Sequence, residues 1–512
     1  MLRLASALLC IGLALAAKPC SLKTFKDGYN VCVCNSTYCD EIEAVGTVAQ
    51  GSAVLYYSSE SGKRFLRTEL LPGSNSAADV QTYLNTSVKY QTMTGFGGAF
   101  TDATGIVLNK LPADLRNVAI TQYYTDKGGL NYTFGRVPIA STDFSTHEYS
   151  YADVPNDFSL VNFNLTSEDF DFKIPYIQTA QKANKNLKLF ASPWSAPGWM
   201  KNTGVMKGGG YMKGEFGGTY WKTYAKYFVR FLEEYKKNGI SFWGLTVQNE
   251  PDTGARPSYE WQTMYFNSSW ERDFIRDLLG PALRQSAVGR NVGIIINDDN
   301  RNNMPEWADT ILGDEAAKKF VIGIGVHWYE DNNVPASVLT DTHKLHPDYF
   351  ILNTEACTGW TGVERGVKLG AWSRAVEFAD DMINDFHNWV TGWVDWNLAL
   401  DTSGGPNWVG NVVDAPIVVS DDGTEFYKQP LWNAMGHFSA FVPQGSVRVD
   451  LSGASDQKDV VYVAFQNPDG TKSVVLLNRS TKDGHNVSVI DESNNKYTVN
   501  MEANSLATLI IA

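Results

Sequence analysis

Apolar positions in this chain follow two different periods, and the change of period divides it. Tyr220, Tyr224, Tyr227/Phe228, Phe231/Leu232 and Tyr235 recur at the spacing that puts them on one face of a helix. The stretch 372–389 reads as a second helix. Around these lie short apolar runs at 90–96, 132–140, 187–193, 242–249, 292–297, 321–328, 350–355 and 392–397. Each is the length of a buried strand. Eight β–α alternations predict an α/β architecture, a (β/α)8 TIM barrel.

The flanks alternate with period two instead. Runs at 447–451, 460–465, 473–477, 497–501 and 506–511 read as half-buried antiparallel strands, punctuated by Asn467-Pro468-Asp469-Gly470. Similar pieces occur at 53–58 and 64–71. The division expected is a leader at 1–16, a small disulfide-bearing β element from 17–43 plus about 398–430, an accessory β-sandwich from 44–89 plus 446–512, and a barrel from 90–397 plus 431–445.

Composition sharpens this picture. With 512 residues, 43% of them apolar and 19% charged, the chain can bury a large core, and wholesale disorder is excluded. The net charge of −13 leaves no basic excess for phosphates, so nucleic acid is not the expected partner. Fifteen Trp and 24 Tyr suit a core, and equally a sugar-stacking cleft.

Arg3, the apolar run 4–15 and Ala14-Leu15-Ala16 read as a secretory signal peptide, cleaved near Ala16. The run is too short to span a bilayer. Losing Arg3 makes the mature chain one unit more negative. Cys20, Cys32, Cys34 and Cys39 are crowded together, which predicts two disulfides, while Cys357 is left over. Asn35, Asn85, Asn131, Asn164, Asn267, Asn478 and Asn486 begin glycosylation sequons.

Two strand candidates end abruptly in acid: the fourth in Gln248-Asn249-Glu250-Pro251, the seventh in Asn353-Thr354-Glu355. A single Glu after a buried strand is an ordinary loop residue. Two of them, at the end of a barrel where active sites lie, are the pair that glycoside hydrolysis needs. One acid protonates the leaving oxygen and the other carboxylate attacks or activates water. No metal or cofactor is expected: the seven His are scattered, and Gly95-Phe96-Gly97-Gly98 lacks the Lys-Ser/Thr of a phosphate loop. Those glycines read as tight backbone packing in the first barrel strand.

The motifs resemble those of the lysosomal glucosylceramidases, acid β-glucosidases of glycoside hydrolase family 30. The matching segments are Lys18-Pro19-Cys20, Val31-Cys32-Val33-Cys34, Gly95-Phe96-Gly97-Gly98-Ala99, Arg136-Val137-Pro138, Ala191-Ser192-Pro193-Trp194, Asn249-Glu250-Pro251, Val326-His327-Trp328-Tyr329, Glu355-Ala356-Cys357, Asp395-Trp396-Asn397 and Gly404-Gly405-Pro406-Asn407-Trp408. They span essentially the whole mature chain. The resemblance implies a retaining β-glucosidase acting on glucosylceramide, with Glu355 as nucleophile and Glu250 as acid/base. It implies that Asn249 holds the sugar 2-OH, that Asp143 grips outer hydroxyls with Asn411 nearby, and that Trp194 and Trp396 wall the sugar. Arg136 and His327 would hold the two Glu in place. Tyr259, Trp261 and Tyr329 would form an aromatic rim. Disulfides Cys20–Cys32 and Cys34–Cys39 are implied in the same way. So are a lysosomal location reached through the secretory pathway, peripheral contact with anionic membranes and a saposin-type activator protein.

The chain also departs from the mammalian members. It has Thr142 and Thr263 where they have Cys, and Gln248 where they have Glu. The loops 202–216 and 358–366 match poorly.

Overall fold

The computed structural model describes residues 18–25, 28–73, 78–362, 364–454 and 457–512. The leader expected at 1–16 lies outside the described residues. Eight parallel strands close into a barrel: Gly95–Ala99, Phe134–Ile139, Lys188–Pro193, Gly244–Thr246, Gly293–Asn300, Val321–His327, Phe350–Glu355 and Val390–Asn397. The eighth pairs with the first. Phe134, Phe190, Ile295, Leu352 and Val394 fill the interior.

The first strand is displaced from the 90–96 expected. Residues up to Thr92 finish a 13-residue strand, Val80–Thr92, of another sheet. The barrel strand begins only at Gly95, whose φ is +130°. Glycine weakens a strand signal, yet here it is required: a Cβ on Gly97 would lie 2.4 Å from the Phe134 carbonyl oxygen of the next strand. The fourth strand is regular only at Gly244–Thr246, shorter than its apolar run. The two helices run Thr219–Lys237 and Trp372–His387, and the first buries Tyr224, Tyr227, Phe228, Phe231, Leu232 and Tyr235 as its spacing requires, while at its start Trp221 is buried and Tyr220 only half-buried.

A nine-stranded sheet combines both chain ends. Its order is Lys496–Met501, His485–Ile490, Val80–Thr92, Val447–Ala454, Val460–Gln466, Lys472–Asn478, Ser505–Ile511, Ala53–Ser59 and Leu66–Leu70. It has its own core around Val449, Leu476, Val489 and Leu509. A five-stranded sheet joins Leu22–Thr24 and Asn30–Asn35 to Glu425–Lys428, Ile417–Val419 and Ala399–Asp401. Disulfides Cys20–Cys32 and Cys34–Cys39 pin its N-terminal part.

One sequon is misplaced. Asn478 is fully buried, and its Nδ2 donates to the Asp483 and Glu502 carbonyls at 2.9 and 2.8 Å. A glycan on that nitrogen would break both bonds and open the sheet. Asn164 is exposed, and Asn35, Asn85, Asn131, Asn267 and Asn486 are half-buried. Among the described residues no helix is long and apolar enough to cross a membrane.

Candidate active site

The acids sit where the barrel strands stop. Glu355 is the last residue of the seventh strand. Glu250 follows the fourth at φ 44°, ψ 60°, a left-handed conformation unusual for Glu. Its N–H donates to the Asp298 carbonyl at 2.9 Å, and the Asn249 N–H donates to the Pro193 carbonyl at 2.9 Å. Asn297 and Asp298, on the adjoining fifth strand, are also left-handed, with φ of 71° and 52°. Such strain persists only where the surroundings enforce it, and it gathers at functional sites.

The side chains then meet across the mouth. Carboxylate oxygens of Glu250 and Glu355 and a ring nitrogen of His327 all lie within 4.8 Å of one another. Arg136, wholly buried in the second strand, donates to Glu355 Oε2, to Asn249 Oδ1 at 2.8 Å and to Asp298 Oδ2 at 2.8 Å. His327 faces Glu250 Oε1 through Nδ1 at 3.3 Å and Asp298 Oδ1 through Nε2 at 3.1 Å. Asp298 also accepts from the Thr246 and Thr354 hydroxyls, each at 2.7 Å. Two cations thus match two anions, Asp298 and Glu355.

This packing moves protons. Burial alone would lower the His327 pKa, but the field of Glu355 and hydrogen bonds to Asp298 and Glu250 overcome it and raise it to about 10. The imidazolium form of His327 is thus favoured, with its ring nitrogens turned to Glu250 and Asp298. Burial likewise opposes ionisation of Asp298, yet Arg136 and His327 hold its carboxyl well below the usual range. Burial raises the Glu355 carboxyl, against the pull of Arg136 and His327.

A cleft of about 420 Å³ opens above these groups. Trp194 and Trp396 stack at 5.0 Å between ring centres on one side, with the Arg136 guanidinium 5.1 and 5.5 Å from their centres. Asp143 accepts from Asn411 at 2.8 Å and from Asn407 at 3.3 Å. Burial, together with the charges of Glu355 and Glu250, pushes its carboxyl up to about 7. Arg365 donates to Asn411 Oδ1 at 2.7 Å, fixing which way that amide points.

Ten of the twelve residues expected from the sequence line this one cleft: Asp143, Trp194, Asn249, Glu250, Tyr259, Trp261, Tyr329, Glu355, Trp396 and Asn411. Arg136 and His327 are buried behind it. Tyr329 is more than rim: its hydroxyl donates to Glu355 Oε1 at 2.7 Å and lies 3.4 Å from the free, buried Cys357 thiol. Tyr259 and Trp261 meet edge to face at 4.6 Å. Gln248 Nε2 donates to the Trp194 and Asn249 carbonyls at 2.6 and 3.0 Å, so an ionised Glu could not replace it. The sequence reading missed Asp298, Arg365, Asn407 and Trp360. Asp298 carried the same signal as Glu250, an apolar run ending in acid, but the strand was ended one residue short of it.

Residues 93–442 match the model of the glycosyl hydrolase family 30 TIM-barrel domain, and residues 445–509 that of the family's β-sandwich domain. The chain is 51% identical to "Putative glucosylceramidase 4" of Caenorhabditis elegans over 96% of this chain and 95% of the relative. It is 42% identical to "Lysosomal acid glucosylceramidase" of Mus musculus over 92% and 91%. Among solved structures, SrfJ from Salmonella typhimurium superimposes with a TM-score of 0.80 at 27% identity, over 90% of this chain and 99% of that one.

Proposed function

Because this chain belongs to glycosyl hydrolase family 30, we propose that it is a retaining β-glucosidase that hydrolyses glucosylceramide to glucose and ceramide. The observation that carries this is the approach of Glu250 and Glu355 to within 4.8 Å across the mouth. That gap suits direct attack, since inverting pairs stand about 6.5–9.5 Å apart to admit a water.

In this reading, Glu355 attacks the anomeric carbon while Glu250 gives its proton to the glycosidic oxygen, and ceramide leaves as the alcohol. Glu250, now a carboxylate, takes a proton from water. The water attacks the same carbon, and the Glu355 ester is released as carboxylate. Arg136 and Tyr329 each hold one oxygen of Glu355 before attack, which fixes the direction from which it approaches. Asn249, held by Arg136, is placed to bind the 2-OH, and Asp143 with Asn411 to bind the outer hydroxyls. Trp194 and Trp396 supply the apolar wall.

The relatives' names and the two disulfides support a secreted or lysosomal setting. The lysosome, anionic membranes contacted peripherally and a saposin-type activator complete the proposal. A ceramide tail leaves a bilayer reluctantly, at about 0.8 kcal/mol per CH₂, so the cleft must meet its lipid at the surface.

A slow 2-fluoro-glucoside tests the reading. Peptide mapping should find it esterified to Glu355, and glucose release from glucosylceramide should disappear in Glu355→Gln. A label on any other residue overturns the assignment.

A further inference from the structure

The outer face of the strand Val80–Thr92 carries an aromatic ring that nothing covers. Val80, Thr82 and Leu84 are buried, so Gln81, Tyr83 and Asn85 share the outer face, because side chains alternate along a strand. Tyr83 is 51% exposed. Its partners across the sheet are Ser452 and Ile490. Among the described residues no ring packs on Tyr83 and no hydrogen bond engages its hydroxyl.

Asn85, two residues on, begins the sequon Asn85-Thr86-Ser87. Here the pairing slips. Val449 faces Lys89 while the next residue, Asp450, faces Asn85, so residues 86–88 bulge out of the ladder. The bulge fixes the amide. Asn85 Oδ1 accepts from the Ser87 N–H at 3.1 Å and from the Ser87 hydroxyl at 2.5 Å. Glu492 holds Thr86 through its N–H and its hydroxyl, each at 2.7 Å. With the oxygen occupied, Nδ2 is left over: among the described residues it meets no acceptor, and it is not buried.

The sequon motif alone does not choose among the seven Asn residues that begin one. The residue two places upstream does. At five of them it is Val, Gly, Asn or Leu, and it is aromatic only before Asn85 and Asn267. Before Asn267, Tyr265 is half-buried and already meets Trp270 edge to face at 5.7 Å. Tyr83 alone offers an uncommitted ring beside a free amide nitrogen.

We infer that Asn85 carries an N-linked glycan whose first N-acetylglucosamine lies on the Tyr83 ring, an inference that rests on the secretory setting proposed above. The sugar donor is a polyprenyl-diphosphate oligosaccharide. Asn85 Nδ2 bonds to its anomeric carbon, the bond from that carbon to the diphosphate oxygen breaks and leaves its electron pair there, and one amide proton is released. Folding then brings sugar and ring together. The C–H face of the sugar packs on the negative face of the ring, while the hydroxyls of both stay in water.

The test uses the full-length protein from a eukaryotic secretory host. Peptide mapping should find Asn85 glycosylated. In proton spectra the ring protons of its first N-acetylglucosamine, identified by their loss in Asn85→Asp, should lie upfield and return to their usual positions in Tyr83→Ser. Peptide-N-glycosidase should release this glycan from the folded protein at least about threefold faster in Tyr83→Ser, the factor that one aromatic contact supplies. Glucoside hydrolysis should be unchanged in both variants, since neither residue lines the cleft. A bare Asn85 beside glycans on other sequons would overturn this inference alone. A chain with no glycan at all would overturn it together with the secretory reading. Proton positions or a release rate indifferent to Tyr83→Ser would overturn it as well.

Discussion

Asp298 holds Arg136 at 2.8 Å with neither side chain reaching solvent. Through the same carboxylate it also holds His327, so one acid orients the partners of both Glu250 and Glu355. Asp298→Asn keeps the shape but turns an NH₂ toward two of the four donors that the carboxylate accepts from. Turnover should fall about 10²-fold while KM moves less than about 3-fold, because positioning rather than sugar contact is lost. Steady-state kinetics on a soluble aryl glucoside decide it, and equal loss in both parameters would refute it.

The acid/base role of Glu250 separates from that of Glu355 by chemical rescue. In Glu250→Ala, a substrate with a good leaving group should still form the glycosyl-enzyme, since no protonation is needed. Azide should then speed its breakdown and yield a β-glucosyl azide. Absence of that product would remove Glu250 from the role.

Stability should fall as pH rises. Burial raises Asp143 and Asp299 to about 7 and Glu271 to about 8 in the fold. Unfolded carboxyls titrate near about 4. Between those values the fold binds more protons than the unfolded chain. The stabilisation is whole below about pH 4 and is lost as pH climbs through about 7–8. Asp298 runs the other way, but its contribution is lost only in strong acid. Tm should therefore be higher at pH 4.5 than at pH 7.5, by roughly 5 °C. Glu271→Gln, which mimics the protonated acid, should shrink the gap. A flat profile would contradict the assignment.

Two mouth aromatics should behave differently. Tyr329→Phe removes the hydroxyl on Glu355, so hydrolysis of soluble and vesicle-borne glucosides should fall together. Trp261→Ala touches only the rim and should harm the vesicle substrate at least about 3-fold more. Paired kinetics on the two substrates test the split.

Gly97→Ala should lower Tm more than Gly98→Ala. At Gly97 the new Cβ meets the fixed Phe134 carbonyl at 2.4 Å, whereas at Gly98 it meets Leu398 Cδ2 at 2.6 Å, the end of a movable side chain. The first costs about 2–3 kcal/mol and the second about 1 kcal/mol. Thermal unfolding of the two variants gives the order.

What could be read from the sequence was whatever left a periodic or terminal mark. Tyr220 to Tyr235 announced a helix because one face must be apolar, and Glu250 and Glu355 stood out because each ends an apolar run. The first barrel strand was misplaced because Gly95, Gly97 and Gly98 are chosen for backbone approach, not β-propensity. The strand His485–Ile490 escaped notice, its short run being interrupted by Asn486 and Ser488. Tyr329 looked like one more rim aromatic because sequence does not say how far a side chain reaches. Arg365 and Asn407 lie in irregular loops, where no period operates.

The interleaving of both chain ends in one sheet governs how this protein can be made. Ala53–Ser59 pairs with Leu66–Leu70 on one edge and with Ser505–Ile511 on the other, so the second edge of an early strand has no partner until the last residues emerge. At a synthesis rate of about 5–20 residues per second, the roughly 450 residues between them take about 20–90 s. Throughout that interval the edge that Ser505–Ile511 will cover stays open, a standing invitation to chaperones and to neighbouring chains. Ribosome-bound fragments that end before residue 505 cannot complete the sheet, however much of the barrel has already closed. Loss of the last seven strand residues should thus act less like a trimmed tail than like a failure of assembly, with the nascent product retained and degraded.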